Sequence, residues 1–129
     1  MTKIQSVIPI LVYEDIQAGH DYLVDVLGFE SGGVERMPDG TPVHGEVRTA
    51  AGAIWLHRVT DEHGMQTPKA FDAVHGGMSV FVDDVDAVYA RVKAAGGDVR
   101  SKPTDQEYGV REFGVHDPEG HRFWFSQRL

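Results

Sequence analysis

Along the chain, apolar positions recur with a period of two, then about 3.6, then two again, and the whole order occurs twice. Residues 6–13 are apolar and β-branched and run into the acidic pair Glu14-Asp15, which predicts a strand feeding a helix. Asp15 is placed to cap that helix, where a carboxylate also complements the dipole. Ile16, Tyr22 or Leu23, Val26 and Leu27 form its apolar stripe, and Gly28 ends it. Residues 29–37 read as a weak strand and Pro38-Asp39-Gly40 as a turn. Residues 44–49 and 53–59 then make a hairpin around Ala51-Gly52.

The second half follows the same plan. Residues 77–82 predict a strand, and Asp84 or Asp83 caps a helix with the stripe Val85, Val88, Tyr89, Val92 and Ala95. Gly96-Gly97 stops it, 98–102 is a strand, and 110–116 with 122–127 form a last hairpin around Asp117-Pro118-Glu119-Gly120. The halves align at an offset of 69 residues: Val12-Tyr13-Glu14-Asp15-Ile16 lies over Phe81-Val82-Asp83-Asp84-Val85, Gly28 over Gly97, and Trp55 over Trp124. One offset without a gap relates nearly all of both halves. The expectation is one α+β domain over 1–129, built from two tandem βαβββ modules that form a cupped mixed sheet with helices on the outer face. Module one covers about 1–60 and module two about 77–129. The connection, 60–76, is long for a passive link and carries His63, Gly64, Pro68 and His75, so it reads either as a linker or as the rim of a pocket.

Composition narrows the function. A formal net charge of −8 repels nucleic acid and anionic membrane. The stretch from Glu14 to Glu30 carries five acids and neither Lys nor Arg, which reads as a solvated helix face or as a field favouring a cationic ligand. No apolar run approaches the ~20 residues of a membrane span. The N-terminus has no long apolar core or small-residue cleavage site, so a cytoplasmic protein is expected. With no cysteine, disulfides and thiolate chemistry are excluded. No Ser-His-Asp arrangement, phosphate loop or basic aromatic patch stands out.

The paired modules, the Tyr108-Gly109-Val110-Arg111 step and the Asp117-Pro118-Glu119-Gly120-His121 turn are similar to the vicinal-oxygen-chelate superfamily of glyoxalases, bleomycin-resistance proteins and dioxygenases. The resemblance covers essentially the whole chain. It implies a cup whose metal-dependent members draw His, Gln or Glu ligands from the first and last strand of each module. Those positions fall here on Ile8, Gly77, Trp55 and Trp124, none of which offers a side-chain lone pair. The resemblance therefore points to a metal-free, bleomycin-resistance-like branch. Its expected role is to bind and sequester an aromatic or cationic antibiotic without a cofactor or catalytic residues, as a homodimer whose cups are completed across the interface.

By strand alternation Trp55 shares a face with His57, Trp124 with Arg122 and Ser126, and Ser79 with Phe81, beside Ile8. These residues, with Tyr108 and Arg111 near the rim, are the candidate ligand-binding set. Trp55 and Trp124 could equally be core filling, and Arg111 could pair with an acid for structure. The alternative is a glyoxalase- or dioxygenase-type enzyme whose off-pattern metal sits on His44, Glu46 and His57. A third possibility is a pocket for an ordinary metabolite. The Asp117–His121 cluster is assigned to structure, since it flanks a tight turn.

Overall fold

Both helices start where the carboxylates predict. In the computed structural model, which describes residues 2–71 and 73–129, Asp15 Oδ1 accepts from the Ala18 amide at 3.0 Å and opens α1 (Ile16–Asp25). Of the two candidate caps in the second half, it is Asp84 that accepts from Ala87, at 3.1 Å, and opens α2 (Val85–Ala94). Gly28, at φ +90°, turns the chain out of α1, and Gly96, at φ +82°, does so after α2. Met1 and Asp72, the latter within the 60–76 connection, lie outside the described residues.

Around these helices the described residues form nine strands: β1 (Ile10–Tyr13), β2 (Glu30–Arg36), β3 (Pro42–Arg48), β4 (Ala53–Arg58), β5 (Met78–Phe81), β6 (Asp98–Val99), β7 (Thr104–Asp105), β8 (Val110–His116) and β9 (Arg122–Arg128). The fold is α+β with two mixed sheets. The first has the order β1-β4-β3-β2, and the second β5-β9-β8-β6 with β7 also on β8. In each, the strand before the helix runs parallel to the last strand of its module.

Three differences from the sequence expectation have local causes. The strand expected over 6–13 is regular only from Ile10, although the Trp55 amide already donates to the Pro9 carbonyl at 3.0 Å. Pro9 has no N–H to continue a ladder, and Ile4 and Val7 before it are exposed. The strand expected over 98–102 breaks into β6 and β7. There the Gly114 amide donates to Ser101 Oγ at 2.8 Å instead of to a carbonyl, and Pro103 follows. The single 69-residue offset also fails in the middle of the modules. Glu46 pairs with Trp55 but Gly114 pairs with Trp124, so β3 and β8 are related by 68 residues. The link 26–29 is one residue longer than 95–97, and the turn 117–121 is one longer than 49–52, so the slip opens and closes inside loops.

The helix-side faces of both sheets feed one core. Val47, Ile54 and Leu56 come from the first sheet, and Phe113, Val115, Phe123 and Phe125 from the second. Ile16, Leu23, Val85 and Val92 come from the helices. Phe29 meets Phe123 across the modules at 6.1 Å between ring centroids. Burial of this many large apolar side chains, at about 1.5–3 kcal/mol each, is the main force holding the halves together.

A buried polar joint fixes their angle. Asp117 accepts from the Tyr13 hydroxyl at 2.5 Å, from the Glu119 and His121 amides at 3.0 and 2.9 Å, and from His121 Nδ1 at 2.9 Å. Glu119 reaches the other way and accepts from the Glu14 and Asp15 amides at 2.7 and 3.0 Å, just before α1. Burial, with Asp117 beside it, pushes the Tyr13 phenol well above its ordinary value and keeps it a donor. The Asp117–His121 turn is thus a clamp between modules.

Candidate ligand-binding faces

Because the helix side of each sheet faces the shared core, the opposite side of each is open. Cross-strand register decides what stands there. On the first sheet Ile10 and Glu46 flank Trp55, and Val12 and His44 flank His57. On the second, Ser79 and Gly114 flank Trp124, Phe81 and Glu112 flank Ser126, and His116 pairs with Arg122. The two indoles therefore lie on different open faces, and both remain accessible, Trp55 at 36% and Trp124 at 40%. Within one chain they do not share a cup.

Their settings differ. Trp55 donates its indole N–H to Glu46 Oε2 at 2.8 Å, and the His44 ring meets it edge-on at 5.3 Å. That hydrogen bond, with the Arg48 guanidinium 2.7 Å from the other oxygen, holds the Glu46 carboxyl below its usual range. Glu46 in turn lies over Gly32, where a methyl group would come within 2.4 Å of its Oε1. Trp124 instead lies across two glycines. A methyl at Gly77 would sit 2.5 Å from Cζ3, and one at Gly114 would sit 3.5 Å from Nε1. A side chain laid this closely on backbone presents its other surface outward, as a plate on which a flat ligand can stack.

The remaining candidates fall around these two rings. Phe81 is half-exposed on the second open face, with the Arg128 guanidinium 4.2 Å from its ring centre. Ser126 is buried and donates to Glu112 Oε2 at 3.1 Å, while the exposed Tyr108 donates to the other oxygen of Glu112, which raises the Tyr108 phenol. Ser79 is exposed beside Trp124, and Ile8 is half-buried ahead of β1. Arg111 is turned the other way. It bridges Asp86 of α2 and Asp105 of β7, each at 3.1 Å, and serves the helix side of β8. His116 on the open face is held below the usual imidazole range by burial and by Arg100 and Arg122.

His44, Glu46 and His57 do share one face, with His44 opposite His57. Two of the three direct polar atoms elsewhere: Glu46 to Trp55 and Arg48, and His57 Nδ1 to the Arg58 carbonyl at 2.7 Å. Among the described residues no three His, Asp or Glu side chains are grouped so as to hold a metal ion. Ile8, Gly77, Trp55 and Trp124 offer no side-chain lone pair for a metal either. The residues present do not fit the metal site that the fold can carry.

Sequence reasoning missed Gly114 under Trp124, the Glu46–indole bond and Arg128. Gly114 inside a strand carried a signal, since glycine there marks a close approach of another group. It also missed a cavity of about 600 Å³ between the free edges of β1 and β5. The connection walls this cavity with Gly64, Gln66, Pro68, Phe71 and 73–76, so it forms the rim of a pocket.

Comparison with known proteins matches this geometry to one family. The model of the Glyoxalase/Bleomycin resistance protein/Dioxygenase superfamily matches residues 3–125. TioX from Micromonospora sp. ML1 is 30% identical, with 97% of this chain and 99% of that one covered and a TM-score of 0.74. TnmS3, an antibiotic binding protein from Streptomyces sp. CB03234, is 22% identical over the full length of both chains, with a TM-score of 0.77. The bleomycin-binding protein of bleomycin-producing Streptomyces verticillus, solved with copper(II)-bleomycin, is 23% identical, also over both full lengths, with a TM-score of 0.70. The last two establish the likeness of fold. No curated protein sequence matches significantly.

Proposed function

From the premise that this chain belongs to the Glyoxalase/Bleomycin resistance protein/Dioxygenase superfamily, we propose that it is a metal-independent binder that sequesters an aromatic or cationic small molecule, of the antibiotic class. One observation carries this. At the two positions where a metal-dependent cup would have its last-strand ligands, the chain has half-open indoles, Trp55 and Trp124. An indole cannot coordinate a cation, but it stacks on a flat ligand for about 0.5–1.5 kcal/mol beyond the area buried. Glu46 beside Trp55 adds a charge for a protonated amine, and the net charge of −8 adds steering. That related structures include two antibiotic-binding proteins fits this class of ligand.

Each open face carries one indole, so we further propose a homodimer in which the Trp55 face of one copy meets the Trp124 face of a second and the two complete a cup. The exposed Ile4 and Val7 of the N-terminal segment would be covered in such a pairing. Sedimentation velocity at micromolar concentration should give about twice the mass of the 14.2 kDa chain. In a cell, a cysteine-free binder of this kind suits the reducing cytoplasm.

The test is tryptophan fluorescence of the purified protein titrated with copper(II)-bleomycin and a set of flat aromatic antibiotics, and separately with Zn²⁺, Ni²⁺ and Fe²⁺. Saturable quenching by a drug, lost in Trp55→Ala and Trp124→Ala, supports the proposal. A stoichiometric metal response without a drug response sinks it and favours the enzyme reading on His44, Glu46 and His57.

A further inference from the structure

Away from both open faces, three polar side chains meet where α1 lies against β2. Ser31 pairs with the buried Val47, so it stands on the helix side of the first sheet and not with Trp55 and Glu46. His20 of α1 is buried, with Nε2 2.7 Å from Ser31 Oγ and Nδ1 2.9 Å from Asp21 Oδ1. Ser31 and Asp21 are themselves exposed. No spacing along the chain marks this Ser-His-Asp group, because the packing of β2 on α1 is what brings Ser31 to the ring.

The partners decide which way the hydrogens point. The hydrogen bond from His20, with that from Gln17 Nε2 at 2.8 Å, holds the Asp21 carboxyl below its usual range. An ionised carboxylate only accepts, so Nδ1 carries a proton, and in the neutral ring Nε2 is left as an acceptor. The Ser31 hydroxyl therefore donates to Nε2. Activating a hydroxyl takes a base within hydrogen-bond reach and a third group that orients the base, and both are present. Arg36 donates to Gln17 Oε1, which steadies the group behind Asp21. The Gly33 amide donates to Ser31 Oγ at 3.1 Å, which orients the oxygen and leaves one of its two lone pairs free.

The approach to that lone pair is open. β2 is the edge strand of its sheet, and it bulges here: Ser31 pairs with Val47 and Gly33 with Glu46, so Gly32 has no partner between them. A methyl group at Gly33 would meet nothing within 4 Å.

We propose that Ser31 is a nucleophile that cleaves small aryl esters, with His20 as its base and Asp21 positioning that base. Ser31 Oγ bonds to the ester carbonyl carbon as the bond from that carbon to the aryloxy oxygen breaks. The hydroxyl proton passes to His20 Nε2 and from there to the departing phenoxide. Water then adds to the acyl carbon on Ser31 and gives a proton to Nε2. The carboxylic acid leaves as Ser31 Oγ takes that proton back.

Hydrolysis of p-nitrophenyl acetate by the full-length protein tests this, together with diisopropyl fluorophosphate, whose phosphorus bonds to an activated hydroxyl oxygen as fluoride leaves. The parent should release p-nitrophenolate about 100-fold faster than Ser31→Ala, and peptide mass mapping should find the phosphoryl label on Ser31. Asp21→Asn keeps the shape of the side chain, but its amide can donate to Nδ1 and favours the Nε2–H tautomer. It should lower kcat about tenfold or more with KM unchanged. NMR of the His20 ring nitrogens should show Nδ1–H in the parent and Nε2–H in this variant, a change that a merely structural role would not produce. Both substituted residues are exposed, so neither variant removes core packing. Equal rates for the parent and Ser31→Ala, a label on another residue, or an Asp21→Asn protein with the parent's rate and ring tautomer would each overturn the proposal.

Discussion

The two open faces of this molecule occupy equivalent places in the two modules and treat the same residue in opposite ways. On the first, Trp55 is tied by its N–H to a carboxylate and flanked by a histidine edge. On the second, Trp124 is laid flat on Gly77 and Gly114, with a serine and no acid paired beside it. The difference lies in the residue paired with each ring, Glu46 opposite Trp55 and Gly114 opposite Trp124. The first face is suited to a ligand with a positive charge next to its ring, and the second to the ring alone.

The largest effect should come from disturbing the plate. In Gly77→Ala the new methyl would meet Trp124 Cζ3 at 2.5 Å and the Arg122 carbonyl at 2.6 Å. We expect a loss of about 1–3 kcal/mol in denaturant unfolding, together with loss of drug quenching from Trp124. Gly114→Ala, where the contact is an ordinary 3.5 Å, should stay within about 0.5 kcal/mol of the parent. If both variants behave alike, the glycine floor is not what positions the ring.

Next come the indoles themselves. Trp124→Ala should weaken a neutral planar ligand by about tenfold, and Trp55→Ala should weaken it less. For a cationic planar ligand the order should reverse, as measured by fluorescence of the remaining tryptophan. Equal losses for both ligands on both variants would erase the distinction between the faces. A smaller effect is expected for Glu46→Gln: about two- to fivefold weaker binding of the cationic ligand and no change for the neutral one, since this acid is partly exposed.

The smallest signal is in pH. The indole and Arg48 depress the Glu46 carboxyl in the folded state. Its contribution to stability is therefore present above the ordinary glutamate range and is lost only as the pH falls through the lowered value. In a Trp124→Phe protein, Trp55 emission should stay constant through the ordinary range and change below it. A transition within or above that range would mean that the Glu46–indole bond does not persist in solution.

Much of the fold was legible because the signals were local. Asp15 and the pair Asp83-Asp84 mark the helix starts by standing between an apolar strand and a helical stripe, and Asp117-Pro118-Glu119-Gly120 can only turn. Strand alternation also placed Trp55 with His57, and Trp124 with Arg122. What failed to show was whatever depends on a partner far along the chain. Arg111 has no feature in the sequence that tells a rim residue from one bridging Asp86 and Asp105. His20, on the helix, is buried with its Nε2 2.7 Å from Ser31 Oγ, a contact that no periodicity announces. Gly19 is required because Tyr13 lies against it, with a methyl there only 2.5 Å from the ring.

By itself, then, the sequence determined the modules, their caps and turns, which residues share a strand face, and the absence of donor side chains at Ile8, Gly77, Trp55 and Trp124. These follow from covalent order and from backbone periods of 2 and 3.6, which act within a few residues. Tertiary structure alone decided that the two indoles look out from separate faces, that one is pinned and the other bare, and that a cavity lies along the seam. Those outcomes depend on how two apolar helix-side surfaces bury each other and on which residues the strand register sets beside each ring, and both are set by packing between residues distant in the chain.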